Sequence, residues 1–317
     1  MNNNTGSFIF LMEGKPLGEH YKHYFGELAR LAQAADKIDD TNVYQEWNPG
    51  TRKIMDSMVE ENLLPGSGLG NRENFLEFLN QLKAGKRGLI LMEHYSNMDL
   101  PVLCYLLDHD SEEGKDLSSR IVAMAGMKLN EENPMVKAWA EGFTRIVIYP
   151  SRSLAAYTNP EEHAAEEAKS RKINMASMRA MDAAKKRGQT ILVFPSGTRY
   201  RPGKPETKRG LREIDSYLRM FDVMILISTN GNCLRINPET PNDMLSDLVC
   251  KDVILMTASE VIDCKSFRNQ VIESLGENPE DQGIDPKQST ADKIMELLEK
   301  QHDTMEPEYQ KRLAAAK

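Results

Sequence analysis

Two clusters of residues in this chain have the types and spacing to do chemistry. The first lies in the stretch 88–105, GLILMEHYSNMDLPVLCY. His94 and Asp99 are there, with four residues between them. A carboxylate that folds back onto one imidazole nitrogen fixes the tautomer and stabilises the imidazolium, and the other nitrogen is then free to take a proton. No side-chain nucleophile stands beside the pair. The chemistry suggested is general-base catalysis without an enzyme nucleophile. A His and an Asp at this separation arise by chance in many chains, so placement matters. Residues 88–92 form a short apolar run that predicts a buried strand, and 101–107 predict one face of a helix. Ser96 or Asn97 is placed to cap that helix, with Asp99 in its first turn, where the helix dipole favours a carboxylate.

The second cluster is FPSGTRYRP, residues 194–202. Pro195, Ser196 and Gly197 predict a tight turn after a buried strand. Arg199 and Arg201 alternate, so in an extended segment both would face one way. Two guanidiniums beside a Gly turn suit a phosphate dianion, because the planar fork of arginine matches phosphate oxygens. Lys204, Lys208, Arg209 and Arg212 follow and read as a solvated basic loop.

Composition narrows the classes. The 317 residues carry a formal net charge of -8, which disfavours a nucleic-acid binder. No apolar run approaches the length of a membrane span. The start, MNNNTGSFIFLMEG, lacks a basic segment and a long enough apolar stretch for a secretory signal. Cys104, Cys233, Cys250 and Cys264 show no CxxC pairing, and the six histidines show no HExxH pattern. These features predict a soluble cytoplasmic protein with reduced thiols, no metal and no resident cofactor.

The elements that must position the two clusters are alternating helices and short apolar strands. Strands are predicted at 88–92, 120–125, 144–149, 190–194, 223–228 and 253–257. Helices are predicted from Glu73 to Gly85 or Gly88, over 100–108, 135–142 and 160–187, and from about 289 onward. The stretch 108–116, DHDSEEGKD, reads as a solvated turn. Residues 1–70 read as a helical N-terminal domain, with Pro49 and Gly50 as a break, and LLPGSGLGN as a linker to a second domain over 71–317. The fold class is α/β: a mostly parallel mixed sheet flanked by helices. If the strands run parallel, the loops at His94, Lys128, Arg152 and Arg199 gather on one sheet edge, where sites of open α/β sheets lie.

Together, His94-x4-Asp99 and FPSGTR resemble the HxxxxD and FPEGTR-type motifs of the glycerolipid acyltransferases. The resemblance is closer to the soluble glycerol-3-phosphate acyltransferases of plastid and chlamydial type. PSGTRYRP (195–202) resembles their PSGGRDRP-like segment, AGMKLNEENP (125–134) their AGDR-type loop, and RIVIYPSR (145–152) their VYSKKH-like stretch. That branch also places a small helical domain before the α/β domain. The similarity runs over roughly residues 65–235. It implies His94 as general base and Asp99 as its orienting carboxylate. It implies Arg199, Arg201 and Arg152 on the acceptor phosphate, Lys128 as a further phosphate contact, and Ser196 and Gly197 in the turn. Ser196 stands where the lysophosphatidate branch usually has Glu. Thr198 matches the FPEGTR form, and Ser153 replaces a family histidine.

The activity so implied is transfer of a fatty acyl group from acyl-carrier protein or acyl-CoA to the sn-1 hydroxyl of glycerol 3-phosphate. A peripheral membrane contact for product release fits the same reading. Acylation of lysophosphatidate is the alternative acceptor. A catalytically silent lipid- or carrier-binding module is the alternative of another class.

Overall fold

The computed structural model describes residues 14–316 except 34, 36, 128, 130–133, 151–152 and 155–156. Runs such as GLILM and VMILI carry no polar side chain on either side, so as strands they must be covered on both faces. In chain order the strands are β1 (Lys15–Pro16), β2 (Tyr44–Gln45), β3 (Gly68–Gly70), β4 (Gly88–Met92), β5 (Ile121–Gly126), β6 (Arg145–Ile148), β7 (Thr190–Val193), β8 (Val223–Asn230), β9 (Leu234–Arg235), β10 (Leu248–Val249), β11 (Leu255–Ala258) and β12 (Ile262–Asp263). The helices are α1 (Leu17–His20), α2 (Phe25–Leu31), α3 (Pro49–Asn62), α4 (Arg72–Lys83), α5 (Asp99–Asp110), α6 (Glu112–Arg120), α7 (Pro134–Ala140), α8 (Pro160–Lys186), α9 (Ile214–Met220), α10 (Cys264–Ser274) and α11 (Pro286–Ala316).

The main sheet has the order β2-β6-β5-β7-β4-β8-β11-β3, with β12 added on β8. Strands β6, β5, β7, β4 and β8 are parallel to one another. β2 and β11 run antiparallel to their neighbours β6 and β8. The fold is therefore the expected α/β class. In β4, Ile90 and Met92 pack with Phe78, Leu103 and Leu107 on one face. Leu89 and Leu91 pack with Met181, Leu218, Ile294 and Leu298 on the other. Because β4, β5, β6 and β7 are parallel, the loops that follow them leave from one edge.

Two local expectations are corrected. The acidic stretch after α5 is not a turn but α6. Ser111 accepts the Gly114 N–H, Glu112 and Glu113 sit in the first turn, and Leu117 is buried. Gly114 is needed there because a Cβ would lie 2.2 Å from the Leu107 carbonyl oxygen. Pro49 and Gly50 do fall at a boundary between two helices, but they are part of the second. They begin α3, with Pro49 in its first turn and the Asn48 side chain accepting the Gly50 and Thr51 N–H groups. A separate helical domain at the front is not clearly shown among the described residues. Leu28, Ile54 and Met58 belong to the same apolar cluster as Ile90 and Leu103. Strands β2 and β3 also join the main sheet. Pieces of two or three residues are too short to carry a periodicity of two.

Candidate active site

β4 ends at Met92, and the chain leaves the sheet edge through Glu93 to Met98 before α5 begins at Asp99. Asp99 closes that loop on itself. Its Oδ2 accepts the N–H groups of Tyr95 at 2.7 Å and Ser96 at 2.9 Å. The same oxygen lies 2.9 Å from His94 Nδ1. An ionised carboxylate can only accept, so Nδ1 carries the proton and Nε2 is the basic nitrogen. Asp99 is buried. The expected helix cap is displaced by this arrangement. The residue before α5 is Met98, with no side-chain cap, and Ser96 Oγ accepts the Met98 N–H at 2.9 Å.

β7 lies beside β4, so the second cluster lands against the first. The Phe194 ring stacks on His94, with centroids 3.9 Å apart and planes at 17°. The Tyr200 N–H donates to the His94 carbonyl at 2.7 Å. Between them, the Gly197 N–H donates to the Phe194 carbonyl at 2.8 Å, and Gly197 takes φ +61°. That left-handed backbone is why glycine stands there. Ser196 Oγ donates to the Thr198 carbonyl at 2.7 Å, tightening the same turn.

The two arginines part company. Arg199 is buried and forms an ion pair with Asp247, whose side chain is fully buried. Burial pushes the Asp247 carboxyl up to about 6, against the pull of Arg199. Arg201 is half-buried and donates from Nη1 to Thr198 Oγ1 at 3.4 Å. Its buried Nε has no hydrogen-bond partner among the described residues. Lys128 and Arg152 lie outside the described residues.

His94, Ser96, Asn97, Phe194 and Gly197 line a cavity of about 560 Å³. Its wall is otherwise largely apolar, with Met55, Trp139, Phe143, Met178, Met181 and Met220 among the lining side chains. This volume lies within the ~300–1,000 Å³ usual for small-molecule sites. These residues come from α3, α7 and the loop after it, α8 and the end of α9, far apart in the sequence. Nothing in their local spacing marks them.

Sequence reasoning also missed three polar groups behind the base. Glu93 is buried next to His94. It meets Tyr95 and, from α11, His302. A carboxylate at the end of an apolar strand run is the signal that a partner was needed.

The four cysteines are buried and free. Burial pushes the Cys104 thiol up to about 11, which leaves it unsuited to act as a nucleophile. The described residues therefore combine a carboxylate-held imidazole, no activated thiol and an apolar cavity opening on that imidazole.

No helix of the described residues is long and apolar enough to cross a membrane. No curated protein matches the chain. Residues 73–226 match the family model described as Acyltransferase, a stretch that runs from α4 into β8 and includes both clusters. The stretch that carries both clusters is thus similar to the acyltransferases.

Proposed function

We propose that the chain transfers a fatty acyl group from the thioester of acyl-carrier protein or coenzyme A directly to the sn-1 hydroxyl of glycerol 3-phosphate. The observation that carries the reading is the His94–Asp99 pair, with His94 on the wall of the apolar cavity and Asp99 buried behind it. His94 Nε2 takes the hydroxyl proton as the oxygen attacks the thioester carbonyl carbon. The tetrahedral intermediate collapses, the carbon–sulfur bond breaks, and the imidazolium returns its proton to the leaving thiolate. Asp99 stabilises the imidazolium between these steps. No resident metal or cofactor enters the balance. The acyl chain lies in the cavity, where each buried methylene is worth about 0.8 kcal/mol. Arg201, Arg199, Arg152 and Lys128 are the proposed phosphate contacts. A phosphate on Arg199 shares the guanidinium with Asp247. The exposed Lys204 and Arg209 offer an acidic carrier protein a basic approach.

The test is release of free thiol from each donor, with glycerol 3-phosphate or lysophosphatidate as acceptor. Turnover with glycerol 3-phosphate that falls about 10²–10⁴-fold in His94→Ala is the expected result. Turnover with lysophosphatidate alone replaces the acceptor and keeps the base. A folded protein that binds donor and turns over neither acceptor overturns the reading in favour of a binding module.

A further inference from the structure

The C-terminal helix α11 lies outside the matched stretch, yet it reaches the catalytic loop. Glu93, one residue before the base, is the meeting point. Its Oε2 accepts the Thr229 N–H at 2.9 Å and lies 3.0 Å from His302 Nδ1. Its Oε1 accepts the Tyr95 hydroxyl at 3.1 Å. That hydroxyl is itself 3.4 Å from His302 Nδ1. Tyr95 is the residue whose N–H holds Asp99 at 2.7 Å. The chain of contacts is therefore continuous from α11 to the base: His302, Glu93, Tyr95, Asp99, His94.

A second strand of contacts reinforces it. Lys208 Nζ lies 5.7 Å from the Tyr95 ring and 4.8 Å from the Tyr200 ring, and pairs with Glu299 of α11 at 3.5 Å. Tyr200 is the residue whose N–H holds the His94 carbonyl. Two of the three backbone donors that fix the base and its carboxylate thus belong to tyrosines, Tyr95 and Tyr200, whose rings pack edge to face under one lysine.

We propose that His302 is a positioning residue: from α11 it fixes Glu93 and Tyr95, and through them the loop that aims His94 at its substrate. The proposal rests on the acyl-transfer reading above for its kinetic consequence, though not for its geometric one. The groups facing His302 are Glu93 and Tyr95 from the catalytic loop, Lys208 from the loop before α9, and Glu306 on its own helix, 3.9 Å from Nε2. Burial alone depresses the imidazole, but the hydrogen bond and charge of Glu93 outweigh it and hold it above its ordinary value. Burial and Glu93 keep the Tyr95 hydroxyl protonated, so it donates to the carboxylate.

The experiment compares wild type with His302→Gln and Tyr95→Phe. It records kcat and KM across pH 5.5–9, and the Nδ1–H signal of His94 by NMR on histidine-labelled full-length protein. The expected result is a fall of about 10–100-fold in kcat, with KM for the donor little changed. The His94 Nδ1–H signal shifts or broadens in both variants. The wild-type loss of activity as His302 deprotonates is absent from the His302→Gln profile. Wild-type kcat with an unmoved His94 signal in both variants overturns the proposal. If the wild type has no acyltransferase activity, the functional reading fails, and the NMR comparison alone still decides whether His302 sets the His94–Asp99 bond. His302→Asn is the substitute if His302→Gln does not fold.

Discussion

At the scale of single residues, Asp99 does two jobs with one oxygen. It orients the imidazole and it is the acceptor for two N–H groups of the loop. The two roles separate on substitution. Asp99→Asn keeps an acceptor oxygen but presents no charge to an imidazolium, so thiol release falls about 10²–10⁴-fold while the melting temperature changes little. Asp99→Ala also strands the Tyr95 and Ser96 donors in a buried loop, at about 1–3 kcal/mol for each donor left unpaired. Thermal melts of the two variants beside their turnover distinguish the roles. Equal melting temperatures would show that the loop does not depend on the carboxylate.

At the scale of elements, the site is the junction of two parallel strands and a clamp from far along the chain. β4 and β7 are neighbours, so their exit loops meet, and the Phe194 ring and Tyr200 N–H fall on His94 without any long-range device. α11 is fastened behind them. Gln301 Nε2 donates to the Thr257 carbonyl at 2.6 Å, Asn230 Nδ2 donates to the His302 carbonyl at 3.1 Å, and Ile294 and Leu298 are buried. The His302–Glu93 pair makes this docking pH-dependent, with a defined sign. His302 is held above its unfolded value. Its contribution is therefore full below the unfolded value, about 6.5, and is lost as pH rises through the higher folded value. The difference in melting temperature between wild type and His302→Gln is expected to shrink from pH 6 to pH 9. A constant difference would mean that the pair carries no charge in the folded protein.

At the scale of the whole molecule, charge is unevenly placed. The chain has a net charge of -8, but the loop that follows the second cluster is basic. On the donor proposed above, an acidic carrier protein is expected to be drawn to that loop and repelled by the acidic remainder. Part of the run is already engaged: Lys208 with Glu299 and the tyrosine rings, and Arg212 with Asp285. Lys204 and Arg209 remain exposed. Changing both to Glu is expected to raise KM for the acyl-carrier donor several-fold, more at low salt, with the CoA donor less affected. Equal effects on both donors would remove the loop from carrier recognition.

Local sequence determined the strand runs and placed each cluster at a strand exit, whereas the parallel pairing of β4 with β7 that brings the clusters together is a tertiary outcome. The local features depend on contiguous apolar residues and on motifs a few residues long, so they can be read in order along the chain. The pairing of His94 with Asp99 belongs to this group, because one loop contains both. The fates of Arg199 and Arg201 do not. Their alternation was visible, but it took Asp247, 48 residues on, to draw Arg199 into a buried ion pair. The same holds for the cavity, assembled from side chains of separate helices, and for His302, 209 residues from Glu93. Only tertiary packing decided these, because burial and pairing depend on which surfaces meet, and that information is spread over the whole chain.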